Sequence, residues 1–164
     1  MVGEGTTGKT GLPSETRQKP ERPRDRLGRP LDWDATNELQ LEPFDDLSLE
    51  QNHELGRRYV REGKWFPAHE AWETAWKQAR ETDEAELFKG LSQMGAGYVH
   101  LQRGNAHGAM TLLRRAASRI VEYPDGQRQI ATRELAAKLE TDAAAVEAGT
   151  LIPGEEVAFE APLV

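Results

Sequence analysis

The chain has no cysteine among its 164 residues. Disulfides, thiolate nucleophiles and cysteine-ligated zinc are excluded together, and a reducing compartment fits. Long hydrophobic runs are missing as well. The first 30 residues hold only Met1, Val2, Leu12 and Leu27 as sizeable aliphatic side chains, too scattered for a signal-peptide core, and no later stretch approaches a membrane span. Positive charge is in deficit, with 21 Lys and Arg against 28 Asp and Glu and a net charge of -7, which argues against a dedicated nucleic-acid binder. The expectation is a cytoplasmic protein with neither a membrane nor a nucleic acid as partner. Aromatic residues make up 7% and the mean hydropathy is -0.72, so apolar burial has to be concentrated in part of the chain. Activated nucleophiles are also wanting, since Thr74, Ser92 and Thr111 sit in no elbow-like turn. The run Gly3 to Thr10 has phosphate-loop spacing, but Gly11, Leu12 and Pro13 follow it and no strand can precede it.

What is present divides into four stretches. Residues 1–30 carry seven basic and four acidic residues with no apolar period, so this basic arm is expected to be disordered, with +3 on the arm and -10 on the remainder. Residues 31–46 are acidic and hold Leu31, Trp33, Leu39, Leu41 and Phe44, an extended strap suited to lie over a groove. Residues 47–148 are expected to form the helical domain, and 149–164 a tail without assignable period.

Ser48 and Gln51 have capping-box spacing, and Leu55, Tyr59 and Val60 give the first helix a buried stripe ending at Gly63. Pro67 suits the first turn of a second helix lined by Ala68, Ala71, Trp72, Ala75, Trp76 and Ala79. Asp83 and Glu86 suggest another capping box, before a third helix lined by Leu87, Phe88, Leu91, Met94, Tyr98 and Leu101 that stops at Gly104. Asn105 is placed to cap a fourth, which Pro124 and Gly126 follow, and Thr132 to Ala148 reads as a fifth. The chain also repeats itself. Gly56, Gly63, Ala68, Trp72 and Ala75 recur 41 residues later as Gly97, Gly104, Ala109, Leu113 and Ala116. Small residues where helices close up, a glycine at the turn and one large apolar knob are the demands of a packed helical hairpin. The order Gly56, Tyr59, Gly63, Ala68, Trp72, Ala75 resembles the tetratricopeptide helix-turn-helix pattern, with His100 replacing the tyrosine in the second copy. The fold class is therefore all-α: about five helices as two tetratricopeptide-like hairpins plus a C-terminal helix.

Chemistry-bearing side chains gather on the second and third helices. His69 and Glu73 share a face, Glu70 is adjacent, and Gln93, Gly97 and His100 form one stripe at i, i+4, i+7. If Gly97 lets the backbones approach, His69, Glu73 and His100 would offer a two-histidine, carboxylate set that zinc, iron or manganese accepts. The same residues can instead close into a buried hydrogen-bond network with Gln93 that holds the hairpins in register. Trp65, next to the turn at Gly63, is expected to wall a groove. His53 and His107, near helix starts, read as solvated.

The runs Trp65 to Trp76, Phe88 to Gln93 and His100 to Ala109, with Asp25 to Leu31 as a lead-in, resemble domain-of-unknown-function family 309 over about Leu49 to Tyr123. The resemblance implies a small all-helical bacterial protein with no assigned activity, and places recurrent polar positions at His69, Glu70, Glu73, Gln93, His100 and Asn105. Lys89 and Ser92 depart from it, standing where an uncharged and an aliphatic residue are usual. The expected function is that of a non-catalytic binding module for a protein, a peptide or partner helix, or a small polar ligand in the cleft between hairpins. Candidate contacts are His69, Glu70, Glu73, Gln93, His100 and Trp65, with Gly97, Gly104 and Asn105 structural. No cofactor is required on this reading. The alternative is a metal-binding protein or metal-dependent enzyme built on His69, Glu70, Glu73 and His100.

Overall fold

The computed structural model describes residues 20–164; the Gly3 to Thr10 run and the rest of 1–19 lie outside the described residues. Five helices follow one another: α1 (Leu49–Arg61), α2 (Trp65–Gln78), α3 (Ala85–Gln102), α4 (Ala106–Ile120) and α5 (Thr132–Ala148), with short 3-10 turns at Phe44–Asp46 and Gln127–Gln129. Each helix packs chiefly on its neighbours in sequence, so α1 with α2 and α3 with α4 form hairpins and α5 closes on α4. The chain is all-α, and the described residues include no strand beyond one bridge between Arg24 and Pro30.

The repeat is built as its spacing demands. A Cβ added at Gly56 would lie 2.4 Å from the Trp72 ring, and one at Gly97 would lie 2.8 Å from Leu113. Each knob therefore occupies the hollow left by the glycine of its own hairpin. Gly63 (φ +70) and Gly104 (φ +81) turn the chain through the left-handed region at equivalent places. Ser48 and Gln51 form the expected capping box, and the Asn105 side chain accepts from the Gly108 amide. The second capping box does not form. The helix α3 starts at Ala85 with Glu84 as N-cap, because Arg128 holds the Glu84 carboxylate at 2.7 and 2.8 Å while the Thr82 hydroxyl takes the Glu84 amide.

The last third of the arm is folded, against what its composition suggests. From Pro20 the chain is described, and Asp25 accepts the Leu27 and Arg29 amides at 2.9 Å each and the Arg29 Nε at 2.6 Å, closing a tight turn. Leu27 is buried, and its carbonyl accepts from Arg103, the residue that caps the C-terminus of α3. Gly28 (φ +77) lies so close to the Phe66 ring that a Cβ there would come within 2.3 Å of it. Of the strap, Leu39 and Phe44 are buried, whereas Trp33 and Leu41 face solvent, Trp33 beneath the Arg22 guanidinium. The tail packs too, with Phe159 stacked on Tyr98 and the Gly154 amide bonded to the Leu101 carbonyl.

His53 overturns its reading as a solvated side chain: it is 4% exposed. Its Nδ1 accepts from Trp72 Nε1 at 3.1 Å and its Nε2 donates to the Arg128 carbonyl at 2.9 Å, which fixes the neutral tautomer. Arg128 (φ 51) and Gln129 (φ 64) take left-handed backbone there. Burial, helped by the charges of Arg57 and Arg128, holds the His53 pKa below its ordinary 6.5. The unfolded chain then takes up a proton that the folded one refuses. Stability contributed by neutral His53 is present above pH 6.5 and lost as the pH falls through the lowered folded value. Melting temperature should fall from about pH 7 to about pH 5, with a shallower slope in His53→Asn; equal slopes would acquit this residue.

Candidate functional site

The polar residues of α2 are placed by a close helix crossing. A Cβ at Gly95 of α3 would lie 2.9 Å from His69 Cα and N, so only glycine admits α2 this near. One turn earlier on α3, the Ser92 carbonyl lies 2.9 Å from His69 Nδ1, and the Ser92 hydroxyl is 3.0 Å from the same nitrogen and donates to the His69 carbonyl at 3.3 Å. A carbonyl can only accept, so Nδ1 carries a proton and Nε2 is the nitrogen left free to engage other groups. Nε2 faces Glu73 Oε2 at 3.8 Å and Glu70 Oε1 at 3.9 Å. The three side chains are 25, 31 and 35% exposed and so reach solvent. Among the described residues they are the group of histidine and carboxylate ligand atoms lying within 4.8 Å of one another.

The site is rich in negative charge. Burial pushes the Glu70 carboxyl above the usual range and the Glu73 charge adds to this, against the pull of His69, Lys77 and Arg24. A cation placed among the three groups would relieve both effects.

The remaining candidates stand elsewhere. His100 does not join the group: its Nδ1 accepts from Asn105 Nδ2 at 2.9 Å, while Asn105 Oδ1 caps α4. Burial, then the charge of Arg103, keeps His100 below its ordinary pKa. Gly97, expected to bring α2 close, receives Leu113 of α4 instead, and Gly95 performs the approach to α2. Gln93 is half-buried; its Oε1 is buried and has no partner among the described residues, so it makes no bond to His69 or His100. Trp65 is 2% exposed, packed 4.3 Å from Tyr98 and 5.9 Å from Phe159, and lies in the core rather than along a groove. Sequence reasoning misses Ser92 and Gly95 as the residues that orient His69. The available signal is Ser92 itself, a hydroxyl beside the apolar stripe of Phe88, Leu91 and Met94.

Lys89 lies over the Trp76 ring, its Nζ 5.3 Å from the ring centroid. No helix among the described residues is long and apolar enough to cross a membrane. Residues 54–112 match the model of a family described as a domain of unknown function (DUF309), a span that contains His69, Glu70, Glu73, Gln93, His100 and Asn105. No curated protein and no solved structure matches the chain.

Proposed function

We propose that this helical domain is a binding module whose ligand is a divalent metal ion held by His69 Nε2 and the carboxylates of Glu70 and Glu73. The observation that carries the reading is the His69 orientation. Its Nδ1–H is engaged by a main-chain carbonyl at 2.9 Å, which aims Nε2, the nitrogen that ligates a metal in the neutral ring, at two carboxylates. An outer hydrogen bond of this kind is what fixes a ligating histidine. Metal–ligand bonds of about 2.0–2.2 Å place adjacent donor atoms roughly 3 Å apart. The present separations of 3.8 and 3.9 Å would close by a small rotation of each glutamate. One nitrogen and two carboxylates, with no sulfur, suit zinc, manganese or ferrous iron. Because all three donors come from one helix, the outward coordination positions stay open to water or a further ligand.

The test is calorimetric titration of the chelator-stripped full chain with zinc or manganese chloride. About one ion per chain should bind, and His69→Ala should lose at least about 100-fold in affinity, more than outer-shell changes usually cost. Binding should weaken on acidification, because Glu70 takes up a proton more readily than an ordinary glutamate and a protonated carboxyl is a poor ligand. Asn105→Ala is the control: it should cost about 1 kcal/mol through the lost cap and leave metal affinity unchanged. Wild-type protein that takes up no ion, or His69→Ala that binds as wild type does, would overturn the reading.

A further inference from the structure

Beside Glu70 opens a cleft of about 380 Å³ lined by Glu21, Arg22, Arg24, Leu41, Phe66 and Glu70. It adjoins the cluster on α2 through two residues. Glu70 belongs to both, and the Phe66 ring stands edge-on to the His69 ring with centroids 6.2 Å apart. We propose that the cleft binds a small molecule carrying an oxyanion, phosphate or carboxylate, on an apolar or aromatic body, and that the oxyanion bridges Arg24 and the metal ion. This rests on the metal reading above.

The cationic wall is held in place before any ligand arrives. The Arg24 amide donates to Asn37 Oδ1 at 2.9 Å, and its carbonyl accepts from the amides of Glu38 and Leu39 at 2.9 and 3.2 Å. Its Nη1 donates to the Gly28 carbonyl at 2.7 Å, which anchors one edge of the guanidinium. Arg24 makes no ion pair among the described residues, so the other donors of the fork remain for an acceptor in the cleft. Pre-positioned guanidinium groups recognise planar carboxylates and phosphates with little ordering cost. Arg22 adds a second positive charge, although Asp32 lies 3.7 Å from it.

Apolar surface completes the cleft. Gly28 seats the Phe66 ring, since a side chain there would collide with it at 2.3 Å, and Leu41 leaves 43% of its surface in water on the same cleft. An exposed leucine beside an immobilised ring is what the body of an aryl or alkyl anion would cover. The acidic side chains argue for joint binding rather than against the anion. Glu21 and Glu70 would repel an oxyanion by themselves, and a divalent ion held by Glu70 and Glu73 cancels the charge of both and offers the anion an open coordination position.

The experiment titrates phenyl phosphate and benzoate, in separate arms, into manganese-loaded and metal-free full-length protein. Metal-loaded wild type should bind one of the two at least about 10-fold more tightly than metal-free protein does. Arg24→Ala should weaken that binding about 10- to 100-fold while the manganese affinity stays within about twofold. Arg24→Ala also removes a bond to the Gly28 carbonyl, so Leu41→Glu serves as a second variant: it leaves the turn intact, adds a repelling charge and should weaken binding about 10-fold. Uptake of manganese with no binding of either anion, or equal binding to wild type and both variants, overturns the proposal and leaves the metal site standing. Failure of wild type to take up manganese overturns the metal site and the bridging with it.

Discussion

Trp72→Ala is expected to cost about 3–5 kcal/mol, the range for removing a large buried aromatic side chain. The residue is fully buried, and its ring fills the hollow at Gly56 so closely that a Cβ there would sit 2.4 Å away. Two effects add. The cavity between α1 and α2 has a rigid helix on either side, so collapse is poor, and loss of the indole N–H leaves His53 Nδ1 buried without its donor. A domain stable by about 5–15 kcal/mol has little left after such a loss. Urea denaturation of wild type, Trp72→Ala and Trp72→Phe would check this. A cost below about 1 kcal/mol for the alanine variant would mean that the knob and hollow do not hold the first hairpin.

Asp142→Ala should destabilise by about 3 kcal/mol, because it strands one buried donor and one charge. Asp142 lies on α5 at 6% exposure; its Oδ2 accepts from the Tyr98 hydroxyl at 2.6 Å and its Oδ1 from Lys138 Nζ at 3.0 Å. Burial, reinforced by the Asp142 carboxylate, drives the Tyr98 hydroxyl far above its usual pKa, so it remains a donor throughout the working range of pH. The bond ties α3 to α5 across the bundle. Without the carboxylate, the phenol has no acceptor in a setting where water is scarce. Asp142→Asn keeps one acceptor oxygen and should cost less than half as much. Hydrogen exchange of the α5 amides is the local readout, and unchanged protection in Asp142→Ala would contradict the tie.

The fold is legible in the sequence because its rules are local. Gly63 and Gly104 mark turns that need positive φ, Ser48 and Asn105 mark helix starts, and Thr132 to Ala148 is helical over the span its composition suggests. The glycine and knob of each hairpin sit close in sequence, so the 41-residue offset by itself exposes their contact. Asp83 and Glu86 mislead, because a distant Arg128 claims Glu84 and rearranges that helix start.

The site is half legible. His69, Glu70 and Glu73 share one helix, so spacing alone groups them. Which residue of α3 meets them depends on the rotation of that helix, and the choice between Gly95 and Gly97 is decided by packing against α4, where Leu113 claims Gly97. Trp65 is misplaced by sequence for a similar reason. Its burial is completed by Phe159, on a tail without a periodic pattern to place it. The turn at Asp25 to Arg29 is obscured by composition, since the arginines that suggest a solvated arm are held by carboxylates and carbonyls.

The order in which these parts come together follows from the way the helices contact one another. Neighbours in sequence are neighbours in space, so the hairpins can condense through short loops, the route by which helical chains fold fastest. The Asp25 turn is different. Leu27 meets Arg103 across 76 residues and Arg29 meets Glu155 across 126, contacts whose loop-closure entropy the local packing of helices does not incur. The turn that carries Arg24 into its cleft is thus held against the rest of the molecule by long-range contacts and not by local ones. His69 and its two glutamates depend on no such closure, because one helix, packed between its two neighbours in sequence, carries all three.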